Sequence, residues 1–89
     1  MKIKKGFVVR TICGEHIVSG EGLEQIDFNK LIRLNETALY LWNAVENKEF
    51  TVEDLVKLLT AEYNVDEATA KADAEQLCKE WEKEELIDL

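Results

Sequence analysis

The sequence predicts an α+β domain of winged helix-turn-helix type, a three-stranded antiparallel sheet followed by three helices. Two features carry that prediction. The chain changes character once, near Asn35: before it residues alternate or cluster as β-strands do, and after it apolar residues recur at helical spacing. Three side chains able to accept orphan helical N–H groups, Asn35, Thr51 and Asp66, stand immediately before the three apolar-periodic stretches.

Phe7 to Cys13 is rich in β-branched residues and reads as the first strand. Gly14-Glu15 suits a two-residue type II′ hairpin, and His16 to Ser19 runs back as the second strand. That register pairs Ile12 with Ile17 and Thr11 with Val18. Gly20-Glu21-Gly22 breaks the strand, and Leu23 to Asn29 fits neither the strand nor the helix period. Leu31 to Leu34 is the third strand and ends where a helix cap begins.

In the first helix Ala38, Leu41, Trp42 and Val45 share one face. In the second, Val52, Leu55, Val56, Leu59 and Tyr63 do so, and Asp54 stands three residues after Thr51 as a capping box requires. Ala70, Ala74, Leu77 and Trp81 form the third stripe. Asn64, between the last two helices, is expected as a left-handed C-terminal cap. Two helices joined by so short a turn make a helix-turn-helix. The terminal Leu86-Ile87-Asp88-Leu89 is apolar enough to pack back on the core.

A chain of 89 residues has room for one modest core, so residues 1–89 are expected as one domain. No apolar run approaches the ~20 residues that span a bilayer. The basic start is followed by a stretch interrupted at Arg10 and Thr11, unlike a signal peptide, and the expected address is the cytoplasm. Cys13 and Cys78 are isolated, and two free, mostly buried thiols are expected. The net charge of −8 is unevenly spread. Residues 1–35 hold six Lys/Arg against four Asp/Glu, a net of +2; residues 36–89 hold five against fifteen, a net of −10. An acidic second half opposes a phosphate backbone and suits a peptide or protein partner, so no nucleic acid and no membrane is expected.

No catalytic constellation emerges. Cys13-Gly14-Glu15-His16 has a C-x-x-H spacing, but a structural zinc site needs four ligands and Cys78 supplies just a third. His16 is the sole histidine and has no positioned acid in sequence, and the four glycines mark turns rather than a phosphate loop. No catalytic residue, metal ligand or cofactor is therefore assigned. Recognition is the physically open option, because a three-stranded sheet has edges to which a peptide can add as a further strand.

Leu31-Ile32-Arg33-Leu34-Asn35-Glu36-Thr37-Ala38-Leu39-Tyr40-Leu41-Trp42 closely resembles the signature of the PqqD-like family, a strand ending in Leu-Asn-Glu/Asp that runs into a helix with Ala and Trp. Thr51 to Leu55, the hairpin with Arg10, Gly14-Glu15 and Ile17-Val18, and Tyr63 to Asp66 fit the same pattern. The resemblance implies a non-catalytic recognition element that captures the leader of a ribosomally made precursor peptide. It also implies presentation to a modifying enzyme, often a radical S-adenosylmethionine (radical SAM) protein, in coenzyme PQQ (pyrroloquinoline quinone) biosynthesis or another pathway. In the family the leader adds beside the third strand, in the groove between that strand and the third helix. Carried to this sequence, the strand is Leu31, Ile32, Arg33 and Leu34. The helix wall is expected at Asp73, Leu77 and Glu80, with Ala70 and Ala74 allowing close approach. Leu77 would receive an apolar leader side chain, and Asp73 or Glu80 a basic one. Trp42 and Trp81 are expected to anchor the core.

Two other readings share the architecture. A DNA-binding winged helix is opposed by residues 66–85, which carry three Lys and no Arg against eight Asp/Glu. A structural protein that pairs its sheet edge with a copy of itself would be a dimer; the peptide carrier is expected as a monomer or weak dimer.

Overall fold

A computed structural model describes residues 1–20 and 31–88. Five strands and three helices follow in the order β1 (Lys2–Ile3), β2 (Phe7–Ile12), β3 (Glu15–Gly20), β4 (Leu31–Leu34), α1 (Glu36–Val45), α2 (Val52–Glu62), α3 (Glu67–Lys83) and β5 (Ile87–Asp88). β2, β3 and β4 form the predicted antiparallel sheet in that order, ahead of the three helices. β1 and β5 form a second, two-stranded ladder that the sequence reading did not foresee. Gly20, where the strand was expected to break, is the last residue of β3 and pairs with Phe7; the rest of the expected break, residues 21–22, and the stretch 23–29 lie outside the described residues.

The hairpin register differs from expectation. Ile12 faces Glu15 and Thr11 faces His16, so the turn residues are Cys13 and Gly14. Both have positive φ, 53° and 80°, as a type I′ turn requires. A type II′ turn would need positive φ at its first central residue alone. The register moves by two residues, not one, so each side chain keeps its predicted face. Phe7, Val9, Val18, Ile32 and Leu34 point towards the helices; Val8, Arg10, Ile12, Ile17, Leu31 and Arg33 lie on the outer face.

The three caps form as expected. Asn35 accepts the Ala38 N–H at 2.8 Å, and Thr51 and Asp54 make a reciprocal capping box at 2.9 and 3.2 Å. Asp66 accepts from Thr69, through its hydroxyl and its backbone N–H, and these bonds hold its carboxyl below the usual carboxylate range. The helix ends are less expected. Asn64 is not left-handed; the Val65 N–H bonds to the Tyr63 carbonyl at 2.9 Å, making a three-residue turn about it. Asn47 takes positive φ instead, 67°, at the third position of a turn closed by the Lys48 N–H on the Val45 carbonyl at 3.2 Å. α3 ends in a Schellman motif. Glu85 is left-handed, its N–H bonds to the Glu82 carbonyl at 3.0 Å, and the Leu86 N–H reaches the Trp81 carbonyl at 2.9 Å.

One hydrophobic core joins the inner sheet face to all three helices and the terminal ladder. Its centre is aromatic. Trp42 and Trp81 meet edge to face at 5.3 Å and Phe50 meets Trp81 at 6.4 Å, the arrangement their quadrupoles favour. Trp42 is wholly buried and its indole N–H has no hydrogen-bond partner among the described residues, a cost that the surrounding packing offsets. Both tryptophans thus serve the core as predicted. Leu86, at the close of the Schellman motif, is also fully buried and seats the terminal ladder.

Candidate functional site

Ile32 and Leu34 alternate inward, Ile32 opposite Val18 and Leu34 4% exposed, while Leu31 and Arg33 turn outward. Among the described residues β4 pairs with β3 along one edge only. Its other edge runs beside α3, and between them lies a depression of about 420 Å³. Leu31, Ile32, Arg33 and Leu34 form one wall, Leu77, Glu80, Lys83 and Glu84 the other, with Ala38 and Trp81 between. A second depression of about 320 Å³ shares Asn35, Ala38, Leu77 and Glu80 with the first. Asp73 and Gln76 rim it, and Leu41 and Leu59 supply apolar lining. Together they make one trough, with Leu77 and Glu80 at the junction.

The trough has an apolar lining and a polar rim of uneven sign. Arg33, Lys83, Glu80 and Glu84 mix both charges beside β4, whereas the further part carries Asp73 and Glu80 and no lysine or arginine. Leu77 is half-buried and packs against the core. His16 braces the end of the β4 wall. Its Nδ1 lies 2.9 Å from the Thr11 hydroxyl and its Nε2 2.8 Å from Glu36, in the first turn of α1. Sheet and helix are thereby clamped next to Asn35, which caps α1 and lines both halves of the trough.

The structure thus gathers six of the predicted strand and helix residues, Leu31 to Leu34, Leu77 and Glu80, around one depression, and puts Asp73 on the adjoining one. Ala70 and Ala74 are not there. Both are fully buried in the core and line neither depression. Sequence reasoning missed Glu84, though it stands seven residues after Leu77 and so on the same helical face. It also saw Asn35 as a cap only, and Trp81 as core only. Cys13 is exposed at the hairpin tip rather than buried, and His16 is engaged by Thr11 and Glu36. Among the described residues no group of three or more His, Cys, Asp and Glu is placed to hold a metal ion. Nor is any helix among them long and apolar enough to cross a membrane.

A sheet ahead of a helix-turn-helix, with an edge strand set across a trough from the last helix, defines a winged-helix domain. The chain belongs to the PqqD family: the family described as Coenzyme PQQ synthesis protein D (PqqD) matches residues 16–87. A solved structure described as TbiB1 in complex with the TbiA(beta) leader peptide has the same fold. It superposes with a TM-score of 0.78 at 23% sequence identity, covering 99% of this chain and 95% of that one. A comparison with curated proteins gives no match.

Proposed function

We propose that the trough between β4 and α3 captures the leader of a ribosomally made precursor peptide as an added strand, and that the domain presents it to a modifying enzyme. The observation that carries this is the coincidence of a strand edge with a trough of mixed apolar and polar lining directly beside it. Strand addition draws affinity from backbone bonds at the edge and register from side-chain depressions at its flank, and this site offers both. Membership of the PqqD family supports the reading, as does a fold neighbour solved with a leader peptide.

Each residue then has a role. Leu31, Ile32, Arg33 and Leu34 supply the backbone ladder. Leu77 receives an apolar leader side chain, and Asp73 and Glu80 attract a basic one at the acidic part of the trough. Ala70 and Ala74 act from below, as small core residues beneath the α3 wall. The domain performs no chemistry and needs no cofactor. Its client is a peptide-modifying enzyme, of radical SAM type, in PQQ biosynthesis or in a pathway to another peptide product. The domain works in the cytoplasm as a monomer or weak dimer, without nucleic acid.

The test is a calorimetric titration with the synthetic leader of the precursor encoded beside this chain. The wild-type domain binds with a Kd of about micromolar, and Leu77→Asp weakens it about tenfold or more while the circular dichroism spectrum is kept. Equal affinity in the variant removes α3 from the site, and no heat with the wild type overturns the proposal.

A further inference from the structure

The outer face of the β2-β3-β4 sheet is not covered by the helices. Its cross-strand rows follow from the register: Val8, Ser19 and Leu31 in one, Arg10, Ile17 and Arg33 in the next, and Ile12 beside Glu15 in the last. The exposed large hydrophobic residues of the described chain, Val8 at 37%, Ile12 at 53% and Leu31 at 70%, all lie on this face. Arg10 and Arg33 are the two arginines of the whole sequence, and they flank the half-buried Ile17 in a single row. Apolar side chains interleaved with arginine is the composition of an interface centre, not of a solvated sheet face.

From this we infer that the outer sheet face docks the modifying enzyme, through a patch on that enzyme in which an apolar side chain sits between two carboxylates. The inference rests on the reading of the chain as a peptide carrier. Arg10 and Arg33 stand two strand spacings apart, about 10 Å, which sets the separation of the carboxylates they meet. Arg33 pairs with Glu15 at 3.5 Å, but both side chains are well exposed, and so weak a pair is readily exchanged for an incoming carboxylate. The helical half of the chain, residues 36–89, is strongly acidic and repels an acidic partner. The arginine row, set among the apolar side chains of this face, gives such a partner a place to land and fixes its orientation.

A second copy does not fit the same face. Twofold stacking would bring four arginines together, and like charges directly opposite are destabilising. Position strengthens the assignment of an enzyme: Leu31 and Arg33 belong both to this face and to the lip of the trough. A protein docked here touches the domain beside the captured peptide, where an enzyme that acts on that peptide has to be.

The experiment measures two affinities on each of three proteins, the wild type, Arg10→Glu and Ile12→Ser. The probes are the synthetic leader and the purified modifying enzyme encoded beside the chain. Neither substituted residue lines the trough. Both variants are expected to keep the leader affinity of the wild type and to lose about tenfold or more in enzyme affinity. Unchanged enzyme affinity in both overturns the inference, as does absence of enzyme binding by the wild type. Self-association that Arg10→Glu abolishes overturns it too, by assigning the face to a second copy. A wild type that binds the enzyme but not the leader contradicts the leader reading and leaves the docking result standing on its own measurement.

Discussion

Cys13 and Cys78 show how far environment separates two residues of one type. Cys78 lies 7% exposed on α3, and burial pushes its thiol pKa up, opposed in part by the N-terminal ammonium and aided by the nearby Glu75 and Glu82. Cys13 sits exposed at the tip of the hairpin. Iodoacetamide at neutral pH is therefore expected to label Cys13 alone in the folded protein, and Cys78 only after denaturant is added. Equal labelling of both under native conditions would contradict the packing of α3. The same burial logic explains why Ala70 and Ala74, expected to allow close approach, line neither depression. Spacing puts Ala70, Ala74, Leu77 and Trp81 within about 60° of one another, and at its Leu77 side that stripe passes from the core to the trough. Ala70, Ala74 and Trp81 centre on the core, whereas Asp73, Leu77, Glu80 and Glu84 lie roughly a quarter turn round the helix, towards β4. Residue type cannot draw that boundary; only the position of the sheet does.

At the scale of elements, starts were more legible than stops. An N-terminal cap is a side-chain bond to a backbone three residues away, so Asn35, Thr51 and Asp66 could be read directly. A C-terminal cap is a backbone conformation that nearby packing can impose on an unfavourable residue. Asn64 has a suitable side chain but closes a three-residue turn, while Glu85 is left-handed because Leu86 is drawn into the core behind it. Glu85→Gly is accordingly expected to stabilise the protein by about 1 kcal/mol, since glycine avoids the left-handed penalty. For a domain of this size that corresponds to a rise in Tm of roughly 4–8 °C; a fall in Tm would show that the motif owes its stability to the glutamate side chain. The hairpin taught a related lesson. Gly14 signalled a tight turn, but one glycine suits either central position, and the type I′ geometry was settled by Cys13 accepting positive φ. The β1-β5 ladder had no signal at all, because two-residue strands 84 positions apart have no period to read.

Across the whole molecule, charge and topology divide the surface into three parts. The acidic excess is spread over the helical half, residues 36–89. The trough collects an apolar lining with a rim acidic at one end, and the outer sheet face collects both arginines. The fold and the β4 wall were legible because the strand and its cap are contiguous in sequence. The trough as a space was not, since its walls are set by how α3 crosses the sheet, some forty residues later. The sheet has two outer edges among the described residues, β2 and β4, and the peptide is assigned to β4 because that edge and α3 together wall the trough. A titration of the 15N-labelled domain with the precursor leader, followed by amide chemical shifts, tests this most directly. The account predicts perturbations concentrated on Leu31 to Asn35 and on α3 from Asp73 to Glu84, with β2 unmoved. Perturbations concentrated on Phe7 to Ile12, or none at concentrations well above micromolar, would contradict it.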